Sequence, residues 1–287
     1  VIAAHRAAGR AFTAAGVTSF VRDEGVGDPV VLMHGLPASS FLYRKVIAEL
    51  AGRGWRALSF DLPGLGFADR PVDFDYTFTG LGRFAIAAVD ALGLDRFHLV
   101  VHDAGGPVGF ELAAAMPGRI RSLTILDTVV AMDTVPFAME IYARVAVGRG
   151  WPALPPRRVC RALVYAIGVE DRARVTRAEI DAYRELVMRV DRGQAYLRIM
   201  RNLRRRTADR SAVVDARQTA YPVQIVWGAH DRVLPLRRYG WAAMRAAGLT
   251  SIHTVPGRHF LQEDNAPAIA ELVATFAVAA DQPEVAS

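Results

Sequence analysis

Along the chain, short runs of consecutive apolar residues alternate with segments whose apolar positions recur every three to four residues. An unbroken apolar run suits a strand covered on both faces, and the 3.6-residue recurrence suits a helix with one buried face. This pattern predicts strands over 18–24, Val30-Val31-Leu32-Met33, 55–60, Phe97 to Val101 and Leu123-Thr124-Ile125-Leu126. Helical patterns cover 39–52, 79–92 and 106–116, and Gly25-Val26-Gly27-Asp28 forms the turn between the first two strands. From about 130 to 218 the strand-like runs cease and the pattern is helical and arginine-rich, broken by Pro152, Pro155 and Pro156. Strand-like runs return at Val223-Gln224-Ile225-Val226 and over 251–255, followed by a helix over 266–279.

Strands alternating with helices make an α/β protein, a mostly parallel sheet flanked by helices on both faces. A helical stretch inserted between two strands of such a sheet reads as a cap. It belongs over the carboxyl ends of the strands, where open α/β sheets bind ligands. The expected organisation is a core built from 1–129 and 219–287, with a helical cap over 130–218.

Composition adds constraints. The chain has 287 residues, 52% of them hydrophobic, enough for one large packed domain with an insertion. The formal charge is +6 and the pI about 9.9, which raises the question of nucleic acid. The charge is carried almost wholly by arginine, Lys45 being the only lysine. The densest cluster, Arg201, Arg204, Arg205 and Arg206, lies in a helical pattern without interleaved aromatics, which reads as a solvated face. No nucleic-acid partner is expected. The single cysteine, Cys160, permits no intrachain disulfide. No segment reaches 18 uninterrupted apolar residues, and the opening Val1-Ile2-Ala3-Ala4-His5-Arg6 has no apolar leader-like region, so a cytoplasmic protein without membrane contact is expected.

The chemistry concentrates at strand ends. Phe97-His98-Leu99-Val100-Val101-His102-Asp103-Ala104-Gly105-Gly106-Pro107 reads as strand, tight turn and helix. Small residues let backbone segments approach closely there, as a nucleophile elbow requires, but Asp103 stands where a serine is usual. The following helix start would keep the carboxylate ionised and help bind an oxyanion. Asp is also a favoured helix cap, so this segment alone does not fix the role. Three further segments tip the reading. His34-Gly35-Leu36-Pro37 closes a strand with a tight turn, offering the Leu36 N–H beside that of Ala104 as an oxyanion hole. Trp227-Gly228-Ala229-His230-Asp231 puts a carboxylate past a strand end, and Pro256-Gly257-Arg258-His259-Phe260 puts a histidine after the next strand. Nucleophile, acid and histidine in that order suit the α/β-hydrolase fold.

On these segments, together with Asp61-Leu62-Pro63-Gly64-Leu65-Gly66 and His259-Phe260-Leu261-Gln262-Glu263-Asp264, the chain resembles the α/β-hydrolase superfamily over essentially its full length. More narrowly it resembles the branch of epoxide hydrolases and haloalkane dehalogenases. The resemblance implies that Asp103 forms an ester with the substrate, that His259 then activates water, and that Asp231 orients His259. Asp127, ending the strand at 123–126, is the alternative acid, since some dehalogenases carry theirs there. No cofactor is implied, and the histidines show no metal-ligand spacing. The implied partners are a small hydrophobic organic substrate and water.

The leaving group divides the branch. Dehalogenases usually carry Trp directly after the nucleophile and Asn after the His-Gly pair; here those positions are Ala104 and Leu36. Epoxide hydrolases use cap tyrosines as proton donors and a His-Gly-X-Pro turn. In the cap stretch Tyr196-Leu197-Arg198-Ile199-Met200, Met200 stands at the tyrosine position. Tyr196, one helical turn earlier, and Tyr142 are the candidate donors, with ordinary packing the competing role. Epoxide hydrolysis is therefore the leading expectation, haloalkane dehalogenation the alternative, and a non-catalytic ligand-binding relative a further one.

Overall fold

A computed structural model gives the structure of residues 1–130, 153–203 and 211–282. The strands are β1 (Gly9–Ala14), β2 (Val17–Glu24), β3 (Pro29–Met33), β4 (Arg56–Phe60), β5 (Phe97–His102), β6 (Ile120–Leu126), β7 (Val223–Gly228) and β8 (His253–Val255). They form one 8-stranded sheet in the order β1-β2-β4-β3-β5-β6-β7-β8. β2 runs antiparallel to both β1 and β4, and every pair from β4 to β8 is parallel.

The helices are α1 (Ile2–Ala7), α2 (Arg44–Ala51), α3 (Phe78–Ala91), α4 (Gly105–Ala115), α5 (Arg157–Leu163), α6 (Arg177–Met188), α7 (Gln194–Asn202), α8 (Trp241–Ala246), α9 (Leu261–Asp264) and α10 (Ala266–Asp281). Because both faces of the sheet are covered, consecutive strand residues serve different cores. Val31 and Met33 join the cluster of Phe84, Ala88, Val108 and Leu112 from α3 and α4. Their neighbours Val30 and Leu32 join Val46 and Leu50 of α2 and Ile269 and Val273 of α10. Each such fully buried aliphatic side chain favours the fold by about 1.5–3 kcal/mol over exposure.

The sequence pattern missed β1 and α1. β1 is an edge strand with only Ala14 buried, so its residues carry no apolar run. α1 has six residues and buries only His5. The expected helix over 39–52 is a 3-10 turn, Ser40–Tyr43, running into α2. Ser39 caps the turn through its hydroxyl, which accepts the Phe41 N–H at 3.3 Å. The last strand is shorter than expected, its first two residues being exposed.

Between β6 and β7 the described stretch 153–203 carries α5, α6 and α7, joined by turns and short helical segments. Thr176 and Glu179 form a reciprocal capping box that fixes the start of α6. Across the chain, α7 lies against the loop after β4: a Cβ placed on Gly64 would sit 3.0 Å from Ala195 and 3.6 Å from Ile199. This sets the helical stretch above the carboxyl edge of the sheet. Among the described residues, no helix is long and apolar enough to cross a membrane.

Candidate active site

Each parallel strand delivers one residue of interest just past its carboxyl end: Leu36 after β3, Asp61 after β4, Asp103 after β5, Asp127 after β6, Asp231 after β7 and His259 after β8. One edge of the sheet thus gathers residues far apart in the chain.

Asp103 occupies the left-handed region, φ +50°. For a residue with a Cβ this conformation costs of order 1–3 kcal/mol and persists only where neighbours impose it. They do so here. The Asp103 N–H donates to the Asp127 carbonyl at 3.2 Å, and its own carbonyl accepts the Gly106 N–H at 3.0 Å and the Thr128 hydroxyl. The kink lifts the carboxylate above the edge, where Oδ1 accepts the Leu36 N–H at 2.7 Å. Smallness around the turn is obligatory. A Cβ on Gly35 would lie 2.4 Å from Asp103 Oδ1 and 2.7 Å from the Ala104 nitrogen; one on Gly106 would lie 2.0 Å from the Thr128 hydroxyl. Gly35→Ala is therefore expected to push the Leu36 and Ala104 N–H groups off the carboxylate. The fold should lose about 1–3 kcal/mol by overpacking, read as a lowered midpoint of thermal unfolding.

His259 bridges two carboxylates. Its Nδ1 lies 2.8 Å from Asp231 Oδ2 and its Nε2 lies 3.3 Å from Asp103 Oδ2. The other Asp231 oxygen accepts the N–H groups of Val233 at 2.6 Å and Leu234 at 2.9 Å, which fixes that carboxylate in place. Burial opposes charge on His259, but the Asp231 charge and the contacts with Asp103 outweigh it and hold the imidazole well above its ordinary range. Burial likewise works to raise Asp103, yet the hydrogen bond and charge of His259, with the Ala104 N–H, keep it below the ordinary carboxylate value. For Asp231 burial is again outweighed by His259, and the carboxylate stays ionised. These directions favour a resting state with an imidazolium between two carboxylates.

Asp127 takes a different part. Its Oδ1 accepts the Gly228 N–H at 2.8 Å. Burial first, and then the adjacent Asp231 charge, push its pKa well above the ordinary value, which favours the neutral acid. Both sequence candidates for the acid are at the site, but the imidazole nitrogen is hydrogen-bonded to Asp231.

The structure brings to the site several residues that the sequence pattern does not mark. His102 Nε2 lies 2.8 Å from the His259 carbonyl, and burial lowers the His102 pKa to about 4, so a neutral imidazole donates to that carbonyl. His34 Nδ1 lies 3.1 Å from the Gly35 carbonyl, and its Nε2 accepts the Leu62 N–H at 3.1 Å, tying the β3 and β4 loops together. Asp61 accepts the N–H groups of Ser40 at 2.7 Å and Phe67 at 2.6 Å. The repeated His and Asp at strand ends was the available signal, since polar residues inside apolar strand–loop junctions must find partners there.

Tyr196 and Met200 both lie on the buried face of α7, in the apolar cluster that includes Leu36 and Leu62. Tyr165 and Tyr183 spend their hydroxyls elsewhere, on the Val175 carbonyl and on Glu263. Tyr142 lies outside the described residues, as do Arg204, Arg205 and Arg206; Arg201 is exposed. Among the described residues, His102, Asp127 and His259 bring potential metal-ligand atoms within 4.8 Å of one another. Two of their nitrogens, His102 Nε2 and His259 Nδ1, are already hydrogen-bonded.

Residues 28–159 match a family described as alpha/beta hydrolase fold. Haloalkane dehalogenase 2 of Mycobacterium bovis is 38% identical over 124 residues, 43% of this chain and 42% of that protein. The chain thus spans less than half the length of that curated relative. Among solved structures, an epoxide hydrolase from Vigna radiata superposes with a TM-score of 0.73 at 21% identity, over 93% of this chain and 96% of its own. A thermophilic esterase from Thermogutta terrifontis superposes with a TM-score of 0.77 at 20% identity, over 96% and 99%. Likeness at that identity establishes the α/β-hydrolase fold and leaves the reaction to be argued from the site.

Proposed function

We propose that this chain, which has the α/β-hydrolase fold, is a hydrolase whose nucleophile is Asp103. The supporting observation is the placement of that carboxylate, with one oxygen on the Leu36 N–H and the other 3.3 Å from His259 Nε2. The core comprises 1–129 and 219–287, and 130–218 is the cap.

The reaction runs in two steps. Asp103 attacks a saturated carbon, forming an ester C–O bond while the carbon's bond to its leaving atom breaks. A carboxylate needs no base for this, because it has no proton to lose. Esterification neutralises Asp103 and removes one of the influences that raise the His259 pKa. His259 then passes its proton to the tyrosinate left when a cap tyrosine protonates the opened epoxide oxygen (in dehalogenation, to solvent with the departing halide) and becomes the base for the second step. Water adds to the ester carbonyl and gives a proton to Nε2. The oxygen held by Leu36 and Ala104 carries the developing negative charge, and each such donor is typically worth about 2.7–4 kcal/mol. Collapse breaks the acyl C–O bond, the imidazolium protonates the departing oxygen, and the resulting Asp103 carboxylic acid returns its proton to His259, restoring the carboxylate and the imidazolium.

The substrate is a hydrophobic epoxide and the product a diol. The epoxide oxygen stays in the product and takes its proton from a cap tyrosine; Tyr196, buried in the apolar cluster with Leu36, is the described candidate. Dehalogenation is the second reading, favoured by the name of the curated relative. Against it, Ala104 supplies no side-chain donor for a halide, and the buried Trp227 indole already donates to the Leu234 carbonyl at 2.8 Å.

A single turnover in ¹⁸O-labelled water, with enzyme in excess over epoxide, tests the nucleophile. The first diol should be free of label, with ¹⁸O in the peptide bearing Asp103. Label in the first diol, with none in Asp103, would mean that water attacks the substrate directly.

A further inference from the structure

The loop carrying His259 is fastened to the cap on both sides of the histidine. The His259 N–H donates to the Ile167 carbonyl at 3.3 Å, and the Phe260 N–H to the Gly168 carbonyl at 2.8 Å. Just before His259, Arg258 donates to the carbonyls of Tyr165 at 3.1 Å and Ala166 at 2.8 Å and pairs with Glu170 at 2.9 Å. Just after it, Asp264 accepts the N–H groups of Glu170 at 2.7 Å and Asp171 at 2.8 Å. The histidine therefore shares its backbone frame with the segment 165–171, not only with the sheet.

One side-chain knot secures that frame. Glu263, whose side chain is 0% exposed, receives both ends of the Arg44 guanidinium, at 2.6 and 2.7 Å. The same Glu263 accepts the Tyr183 hydroxyl, and Arg44 also reaches Glu179 at 2.5 Å. The Tyr183 ring stacks on Phe260, next to His259, with centroids 5.2 Å apart and planes 8° from parallel. The knot thus joins three elements: α2 of the core (Arg44), α9 directly after the histidine (Glu263), and cap helix α6 (Tyr183, Glu179). A buried, bidentate arginine–carboxylate pair completed by a phenol is rigid, because breaking any member strands a buried charge or dipole. None of these residues touches the reacting atoms.

We propose that Glu263 and Tyr183 are positioning residues, which hold the His259 imidazole on Asp231 by locking the histidine loop to cap helix α6. His259's place in water activation rests on the function proposed above; its seating on Asp231 does not. Ester formation does not use His259 as a base, so loosening the knot should act chiefly on the hydrolytic half of the reaction. A misplacement of the base on the order of 1 Å is enough to cost about 10²-fold.

The deciding measurement needs no substrate. Protein with ¹⁵N-histidine would be used to follow the Nδ1 proton of His259, assigned by its loss in His259→Gln. In Tyr183→Phe, which keeps the ring and removes only the hydroxyl, that proton should move to higher field and exchange with water about tenfold faster as the loop opens. Glu263→Gln should do the same more strongly. Asp23→Asn, which weakens the surface pair with Arg56 far from the loop, serves as the control and should leave the signal in place. An unchanged Nδ1 proton and exchange rate in folded Tyr183→Phe would overturn the proposal, whatever happens to Glu263→Gln. Failure of Asp103 to take up ¹⁸O would sink the proposed chemistry and leave this positioning result standing.

Discussion

His259→Gln is expected to lose turnover by at least about 10³-fold while still reacting once with an epoxide, so that intact mass shows the whole epoxide added to the protein. The two halves of the reaction make different demands. Attack by Asp103 needs an ionised carboxylate, and glutamine leaves that carboxylate with the Leu36 and Ala104 N–H groups. Hydrolysis of the ester needs a base at Nε2, which glutamine cannot supply. Panels of epoxides and bromoalkanes separate the two readings. Addition of an intact epoxide, mapped to Asp103, supports ring opening. Addition of a bromoalkane less HBr supports dehalogenation in spite of Ala104. No adduct from either panel, with the variant folded, would remove Asp103 as the nucleophile towards both classes. Asp103→Ala should form no adduct with either panel.

What the sequence disclosed follows from how its signals arise. Strands β3 to β7 are buried on both faces, so Val30-Val31-Leu32-Met33 and Val223-Gln224-Ile225-Val226 stand out as unbroken runs. β1 is equally regular but buries only Ala14, so nothing in its composition marks it. The convergence of Asp103, Asp231 and His259 was legible because each sits at a strand–loop junction at one edge of the sheet. His102 was invisible as more than a neighbour: its contact with the His259 carbonyl spans 157 positions in sequence. Glu263 and Arg44, 219 apart, are the same kind of case. Contacts made by the loop ends of different strands depend on three-dimensional closure of the edge, which periodicity does not encode. The choice between Asp231 and Asp127 was open for a related reason. Both end a strand, and only the geometry shows which one faces the imidazole nitrogen.

That choice gives the second large effect. Asp231→Asn is expected to lower turnover by about 10³–10⁴-fold, as loss of the orienting carboxylate does in other hydrolytic triads, whereas Asp127→Asn should change it by no more than about threefold. The asymmetry follows from charge. Asp231 is ionised, accepts from His259 Nδ1, and has no neutral substitute, since an amide neither carries the charge nor fixes the tautomer. Asp127 has its pKa pushed up by burial, which favours the neutral form, and an amide oxygen can go on accepting the Gly228 N–H. Stability should carry the same signature. The raised pKa of His259 contributes stability that is complete below its unfolded value, about 6.5, and is lost as pH rises through the folded value. The depressed pKa values of Asp103 and Asp231 contribute stability that is complete above about 3.9 and is lost as pH falls through the folded values. The difference in unfolding free energy between the parent and Asp231→Asn should therefore be greatest between those limits and shrink on either side, as read by denaturant titration across pH. Near-parent turnover in Asp231→Asn, together with collapse in Asp127→Asn, would transfer the orienting role to Asp127. The imidazole would then have to leave Asp231 during catalysis.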